Sequence, residues 1–137
     1  MASMTEVAEK FFDACETGKG WQECRQYCKP EATFAAQAGA LAEVKTLEAY
    51  TNWMQGIFAL MPDAGYQVKA FASDPARSNV TAVGVFSGTH TGQGGPPPTG
   101  KRVETDYVYV MEFSDGKIVH MTKIWNDAYA FKALGWA

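Results

Sequence analysis

Apolar residues in the first half of the chain recur at helical spacing. Val7, Phe11 and Cys15, with Ala8 and Phe12 beside them, form one stripe that runs to Gly18. Ser3 and Glu6 precede it as a capping box, so the pattern predicts a helix beginning at Met4. Trp21, Cys24, Tyr27 and Cys28 share one side of a short second helix closed by Pro30. The segment 32–38, ATFAAQA, is brief and compatible with a strand. Thr46 caps a third helix in which Leu47, Tyr50, Met54, Ile57 or Phe58, and Met61 recur until Met61-Pro62-Asp63 stops it.

After Gly65 the pattern changes to that of strands. Segments 66–72, 79–91, 101–113 and 117–127 are rich in Val, Tyr, Phe, Thr and Ile, with turn residues between them. The turns around residues 73–79 and 113–117 are short, so the strands they join pair antiparallel. Segment 91–100, TGQGGPPPTG, is longer and stiffened by three consecutive prolines. It fits either a rigid loop at a cavity mouth or a wide connection. Residues 126–137 read as a short helix capped by Asn126 or Asp127, with Gly135 at its end. Three helices followed by an antiparallel sheet and a short C-terminal helix predict an α+β fold, with the helices covering one face of a curved sheet. At 137 residues, without linker or repeat, residues 1–137 are expected to form one domain.

Composition removes several functions. A net charge of −3, with Lys and Arg scattered, offers no basic surface for nucleic acid or anionic membrane. No apolar leader and no run of 18 apolar residues is present, so a cytoplasmic protein is expected. Cys15, Cys24 and Cys28 are an odd set, best read as buried reduced thiols in a reducing compartment. Cys24 and Cys28 lie four residues apart, but a zinc site needs further ligands and both histidines are distant in sequence. Neither a metal nor a cofactor is expected.

Two stretches carry a family resemblance. Gly88 to Gly92 (GTHTG), Pro98 to Gly100, Asp115 to Ile118 and Leu134-Gly135 resemble the SnoaL-like polyketide cyclase branch of the nuclear transport factor 2-like superfamily. The resemblance covers nearly the whole chain and implies a cone-shaped fold enclosing a pocket. Fold alone leaves the reaction open, because the superfamily includes isomerases, dehydratases, epoxide hydrolases, cyclases and binding proteins. In the cyclases, the strand after Asp-Gly-Lys-Ile carries an aspartate that is the general acid/base of an aldol closure. Lys123 occupies that position here, and the adjacent-strand histidine of the cyclases falls near Val108.

A two-residue turn at Asp115-Gly116, extended without interruption, sets Phe113 opposite Ile118, Val108 opposite Lys123 and Asp106 opposite Trp125. With Lys123 turned into the cone by the resemblance, Asp106, Val108, Met121 and Trp125 share its face, and His120 faces away. Asp106 and Lys123 are then expected as an ion pair inside an apolar funnel. In chemical terms, Asp106 is a relocated acid/base, and Lys123 is an electrophile or a Schiff-base nucleophile. The bland alternative is a pair that only shapes the pocket. His90, at a strand end before the proline-rich loop, is a candidate for proton transfer or for holding that loop. Tyr50 and Trp53 are candidates to line the pocket, although core packing explains them equally well.

Two functions follow. One is an isomerase, cyclase or dehydratase acting by proton transfer on a small, mostly apolar carbonyl compound. The other is a binding module for such a ligand without chemistry. An epoxide hydrolase is less favoured, because no arginine accompanies Asp106 or Asp127. The resemblance also implies a homodimer through the outer face of the sheet.

Overall fold

The computed structural model describes residues 3–137. Helix α1 spans Met4–Glu16, α2 Trp21–Cys24 and α3 Leu47–Leu60; strands β1 to β5 span Cys28–Gln37, Gly65–Asp74, Asn79–Thr89, Arg102–Ser114 and Lys117–Trp125; α4 spans Asp127–Leu134. The strands form one sheet in the order β1-β5-β4-β3-β2. The fold is α+β, with the helices on the inner side of the sheet. Among the described residues no helix is long and apolar enough to cross a membrane.

The expected caps are present. The Ser3 hydroxyl accepts from the Glu6 N–H and the Glu6 carboxylate accepts from the Ser3 N–H. Thr46 caps α3 and Asn126 caps α4. Asp127 does a different job: its carboxylate accepts from the Ala40 N–H at 2.7 Å, tying α4 to the turn after β1.

Two elements depart from the sequence pattern. The second helix ends at Cys24, passes through one tight turn at Arg25–Tyr27, and gives way to β1 at Cys28. Furthermore, β1 pairs with β5 in parallel, so the sheet is not wholly antiparallel. β1 lies at the sheet edge, and its register shifts between Cys28 and Thr33, around Pro30. That edge irregularity is where a residue lacking an N–H can be accommodated. Cys15, Cys24 and Cys28 are free thiols in the core, and burial pushes the thiols of Cys15 and Cys28 up.

The core lies between the sheet and helices α1 and α3, where Phe11, Phe12, Leu47, Tyr50, Tyr109, Met111 and Met121 are buried. The proline-rich loop is fastened to two helix ends. The Gly92 N–H donates to the Leu60 carbonyl at 2.9 Å, and the Thr99 hydroxyl donates to the Leu134 carbonyl at 2.6 Å. A Cβ on Gly92 would stand 1.9 Å from the Ala59 carbonyl oxygen, so only glycine permits this approach.

The β4–β5 hairpin decides the contents of the interior. Asp115 and Gly116 both have positive φ, 52° and 75°, as the tight hairpin turn requires. Phe113 pairs with Ile118, as the turn dictates, but the next pairs are Glu112 with His120 and Met111 with Met121. One residue of β5 has been absorbed in a bulge. Beyond it Lys123 lies opposite Tyr109 and Trp125 opposite Tyr107.

Candidate functional site

That one-residue shift overturns the expected pairing of Asp106 with Lys123. Lys123, Met121 and Trp125 do turn inward, but their β4 neighbours are Tyr109, Met111 and Tyr107. Asp106 and Val108 lie on the opposite face of the sheet. Asp106 is exposed and pairs with Lys69 on β2 at 3.3 Å, and Val108 sits beside Ile124. The ion pair was misplaced because an uninterrupted ladder was extended from a correctly placed turn. His120 faces outward as expected, with Nδ1 2.7 Å from the Thr33 hydroxyl and Nε2 3.2 Å from that of Thr122.

The carboxylate inside the fold is Glu16, the last residue of α1, only 1% exposed. It accepts from the Tyr109 hydroxyl at 2.7 Å. The Tyr109 and Tyr50 hydroxyls are hydrogen-bonded to each other, and Lys123 Nζ donates to the Tyr50 oxygen at 2.9 Å. With Glu16 ionised and Lys123 protonated, one proton order follows. Tyr109 has one hydroxyl proton and gives it to Glu16, so Tyr50 donates to Tyr109 and accepts from Lys123. A buried base and a buried acid are thus joined by two phenols whose protons all point toward the acid.

Both end groups are displaced toward each other in proton affinity. Burial raises the Glu16 carboxyl, opposed by the Lys123 charge and by the phenols and thiol around it. Its place at the C-terminal, negative end of α1 acts in the same direction as burial. Burial lowers the Lys123 ammonium to about 8, opposed by Glu16, Cys15 and Asp127. Tyr50 and Tyr109 are raised, first by burial and then by Glu16, so both stay protonated at neutral pH.

Aromatic rings surround the ammonium. Nζ lies 4.3 Å from the ring centroid of Trp125, 5.0 Å from that of Tyr50 and 5.4 Å from that of Trp53. The Trp125 indole N–H donates to the Thr105 hydroxyl at 2.9 Å, which fixes the ring, and Trp53 packs edge-on against it. Tyr50 stacks on Phe34 at 4.3 Å. Tyr107, whose ring parallels Phe12, has a buried hydroxyl with no hydrogen-bond partner.

Lys123 and Glu16 border a cavity of about 40 Å³ whose walls include Trp53, Tyr107, Trp125, Phe131 and Trp136. That is room for a few waters. Of the expected pocket residues, Trp53 and Trp125 line it, Tyr50 stands behind Lys123, and Met121 is packed in the core. His90 is buried against Trp136, a wall residue of the cavity. Its Nδ1 accepts from the Trp136 indole N–H at 2.9 Å, which leaves the ring's proton on Nε2, where it has no partner. It steadies a wall residue and does not itself border the cavity.

The sequence reading missed Glu16 although a signal was present. Ala8, Phe12 and Glu16 are spaced by four, which puts an acid in phase with the buried stripe of α1. Tyr109 was missed because its strand parity depends on the bulge. Among the described residues no cluster of His, Cys, Asp or Glu is suited to a metal ion.

An inner sheet wall closed by helices around a narrow apolar cavity has the nuclear transport factor 2-like fold. The sequence profile of the SnoaL-like polyketide cyclase family matches residues 6–134, and the chain belongs to that family. Solved structures agree on the fold. A SnoaL-like polyketide cyclase (so proposed) from Jannaschia sp. CCS1 superposes with a TM-score of 0.79 at 19% identity, covering 98% of this chain and 92% of that one. IdmH, a proposed polyketide cyclase from Streptomyces antibioticus, gives 0.75 at 22% identity, covering 98% and 99%. AclR, a proposed hydroxylase from Streptomyces galilaeus, gives 0.77 at 20% identity, covering 98% and 85%. No curated protein sequence matches the chain significantly.

Proposed function

We propose that the chain binds a small, mostly apolar carbonyl compound in the cavity and moves a proton on it, in an isomerisation, cyclisation or dehydration. One observation carries this reading: a buried lysine at the wall of an apolar cavity is joined through two phenols to a buried carboxyl. Such a pair can hold or release a proton within the protein, and its proton affinities are moved toward neutrality by burial. The family to which the chain belongs supports a small-molecule role. The acid/base group here is Lys123 with Glu16, in place of the aspartate that the cyclase pattern leads one to expect.

Cyclohexanone in deuterated water provides the test. Wild-type protein is expected to accelerate exchange of the protons beside the carbonyl, and Lys123→Met and Glu16→Gln are expected to abolish that acceleration. Absence of both exchange and binding across a panel of small ketones would sink the proposal. Binding without exchange would support the second reading, a binding module. That reading is favoured by the small volume of the cavity and the loss of the cyclase acid.

A further inference from the structure

We propose that Lys123 works as a free amine that forms an imine with a small aldehyde or ketone, and that Glu16 is the internal proton store that frees it. This deepens the proton-transfer reading and rests on it. The geometry of the hydrogen-bonded chain makes the argument. Lys123 donates to Tyr50, Tyr50 to Tyr109 and Tyr109 to Glu16. If each proton moves one step along the chain, the ammonium becomes an amine and the carboxylate becomes a carboxylic acid. Every hydrogen bond then survives with its direction reversed, and no solvent proton is needed.

Little holds the ammonium in its charged form. None of the ion pairs among the described residues involves Lys123. The charged and titratable groups facing it are Glu16 and Cys15 from α1, Asp127 from α4, Tyr50 from α3, and Tyr107 and Tyr109 from β4. Its other attractions are to the ring faces of Trp125, Trp53 and Tyr50. Those faces would stabilise an iminium ion in the same position, since it carries the same charge on the same nitrogen. Burial also lowers the ammonium to about 8 and raises Glu16, which brings the charged and the proton-shifted pair closer in free energy.

The step balances. The Lys123 amine attacks the carbonyl carbon, a C–N bond forms, and the C=O pair moves to oxygen. One of the two protons then on nitrogen passes to that oxygen, giving a carbinolamine that keeps one N–H. Glu16 then returns its proton through Tyr109 and Tyr50 to the hydroxyl group, the C–O bond breaks and water leaves. The products are an iminium ion and the Glu16 carboxylate. Nothing is oxidised or reduced, and water reverses the sequence. The substrate class is a small aldehyde or ketone whose apolar body lies against the cavity walls that Trp53 and Trp125 supply. As it stands the cavity of about 40 Å³ holds only a few heavy atoms, so a probe the size of cyclohexanone or acetylacetone enters by pushing Phe131 or Trp136 aside.

Acetylacetone is a suitable probe, because an amine converts it to a stable vinylogous amide with its own near-ultraviolet absorbance. Peptide mass mapping of the wild-type protein is expected to place one adduct on Lys123, ahead of the other lysines. Its rate should rise through pH 8, well below the ordinary lysine value of 10.5. Glu16→Gln should move the rise of that profile to lower pH, because the carboxylate no longer favours the ammonium, and should lower its plateau by about a hundredfold, because the proton donor for loss of water is gone. Lys123→Arg keeps a cation but should give no adduct at that site. If either variant fails to fold, the wild-type map and its pH–rate profile decide the matter alone. Adducts spread over exposed lysines with none on Lys123 would overturn the proposal. Exchange of cyclohexanone protons without any Lys123 adduct would overturn the imine and leave the proton-transfer reading standing. Loss of exchange, binding and adduct together would overturn both.

Discussion

The Lys123 ammonium lies 4.3 Å from the ring centroid of Trp125, and Trp125 is itself anchored through its indole N–H to Thr105. The lysine is thereby held by a π face and a phenol, with its balancing carboxyl two phenols away. A desolvated cation–π contact contributes about 2 kcal/mol, less than the several kcal/mol that burial of an ammonium costs. The arrangement is therefore held in place by the rest of the fold.

Replacing both ends of the chain relieves that cost. The double variant Lys123→Met with Glu16→Gln is expected to be about 1–4 kcal/mol more stable than wild type in urea denaturation. Lys123→Met alone should gain less, because it leaves Glu16 without its stabilising charge and pushes its carboxyl further up. A double-mutant cycle showing no coupling between the two positions would contradict the chain of hydrogen bonds described above.

The pH dependence has a definite sign. Lys123 titrates near 8 when folded and near 10.5 when unfolded. Between those values the unfolded chain binds the extra proton, so stability rises with pH. Below pH 8 the penalty is fully present. By pH 10.5 it is relieved by roughly 3 kcal/mol. Cys15, Tyr50 and Tyr109 work in the opposite sense, since their folded values are raised and their stabilising protons outlast those of the unfolded chain. The quantity to measure is therefore wild-type stability minus that of Lys123→Met at each pH, which should climb across this window.

Asp106→Asn tests the corrected register. Asp106 is exposed and its partner Lys69 is exposed too. Stability should change by no more than about 0.5 kcal/mol, and ketone exchange should not change at all. Loss of exchange in this variant would restore Asp106 as the acid/base.

The mouth can be widened without touching the chain of phenols. Phe131 packs edge-on against Trp125 and lies 5.3 Å from Trp136, ring to ring. Phe131→Ala should cost about 1–2 kcal/mol, less than a fully buried phenylalanine, and should admit bulkier ketones. Calorimetric titration with a ring-substituted cyclohexanone gives the comparison, with tighter binding expected in the variant.

Pairing of two copies through the outer sheet face is a further expectation. Val83, Val85, Val108 and Val110 lie half-buried there, and Ile124 is 49% exposed. Light scattering is expected to give a dimer for wild type at micromolar concentration and a monomer for Ile124→Lys. A wild-type monomer would remove the idea.

Much of the fold was legible because it rests on local chemistry. The Ser3 capping box, the Thr46 cap, the Asp115-Gly116 turn and the stop at Gly135 each involve residues within a few positions of one another. The parallel placement of β1 was not legible, since it depends on contacts between residues about ninety positions apart, such as Thr33 with His120. Within the site, Lys123, Trp125 and Trp53 were found by residue type and family pattern. Glu16 could have been found from its phase with Ala8 and Phe12. Tyr109 could not, because its orientation relative to Lys123 depends on where a single extra residue is absorbed.

That bulge gives the hairpin an uneven tolerance to changes in length. Ile118 and Met121 both face inward although three positions apart, so the strand holds one residue of slack between them. Deleting Val119 would use up the slack and leave Lys123 opposite Tyr109. An added residue between Met121 and Lys123 has no such reserve, and would turn the lysine out to solvent unless a second bulge formed. In genetic terms, a lost codon on one side of Met121 is close to silent for the chemistry, while a gained codon on the other side removes it.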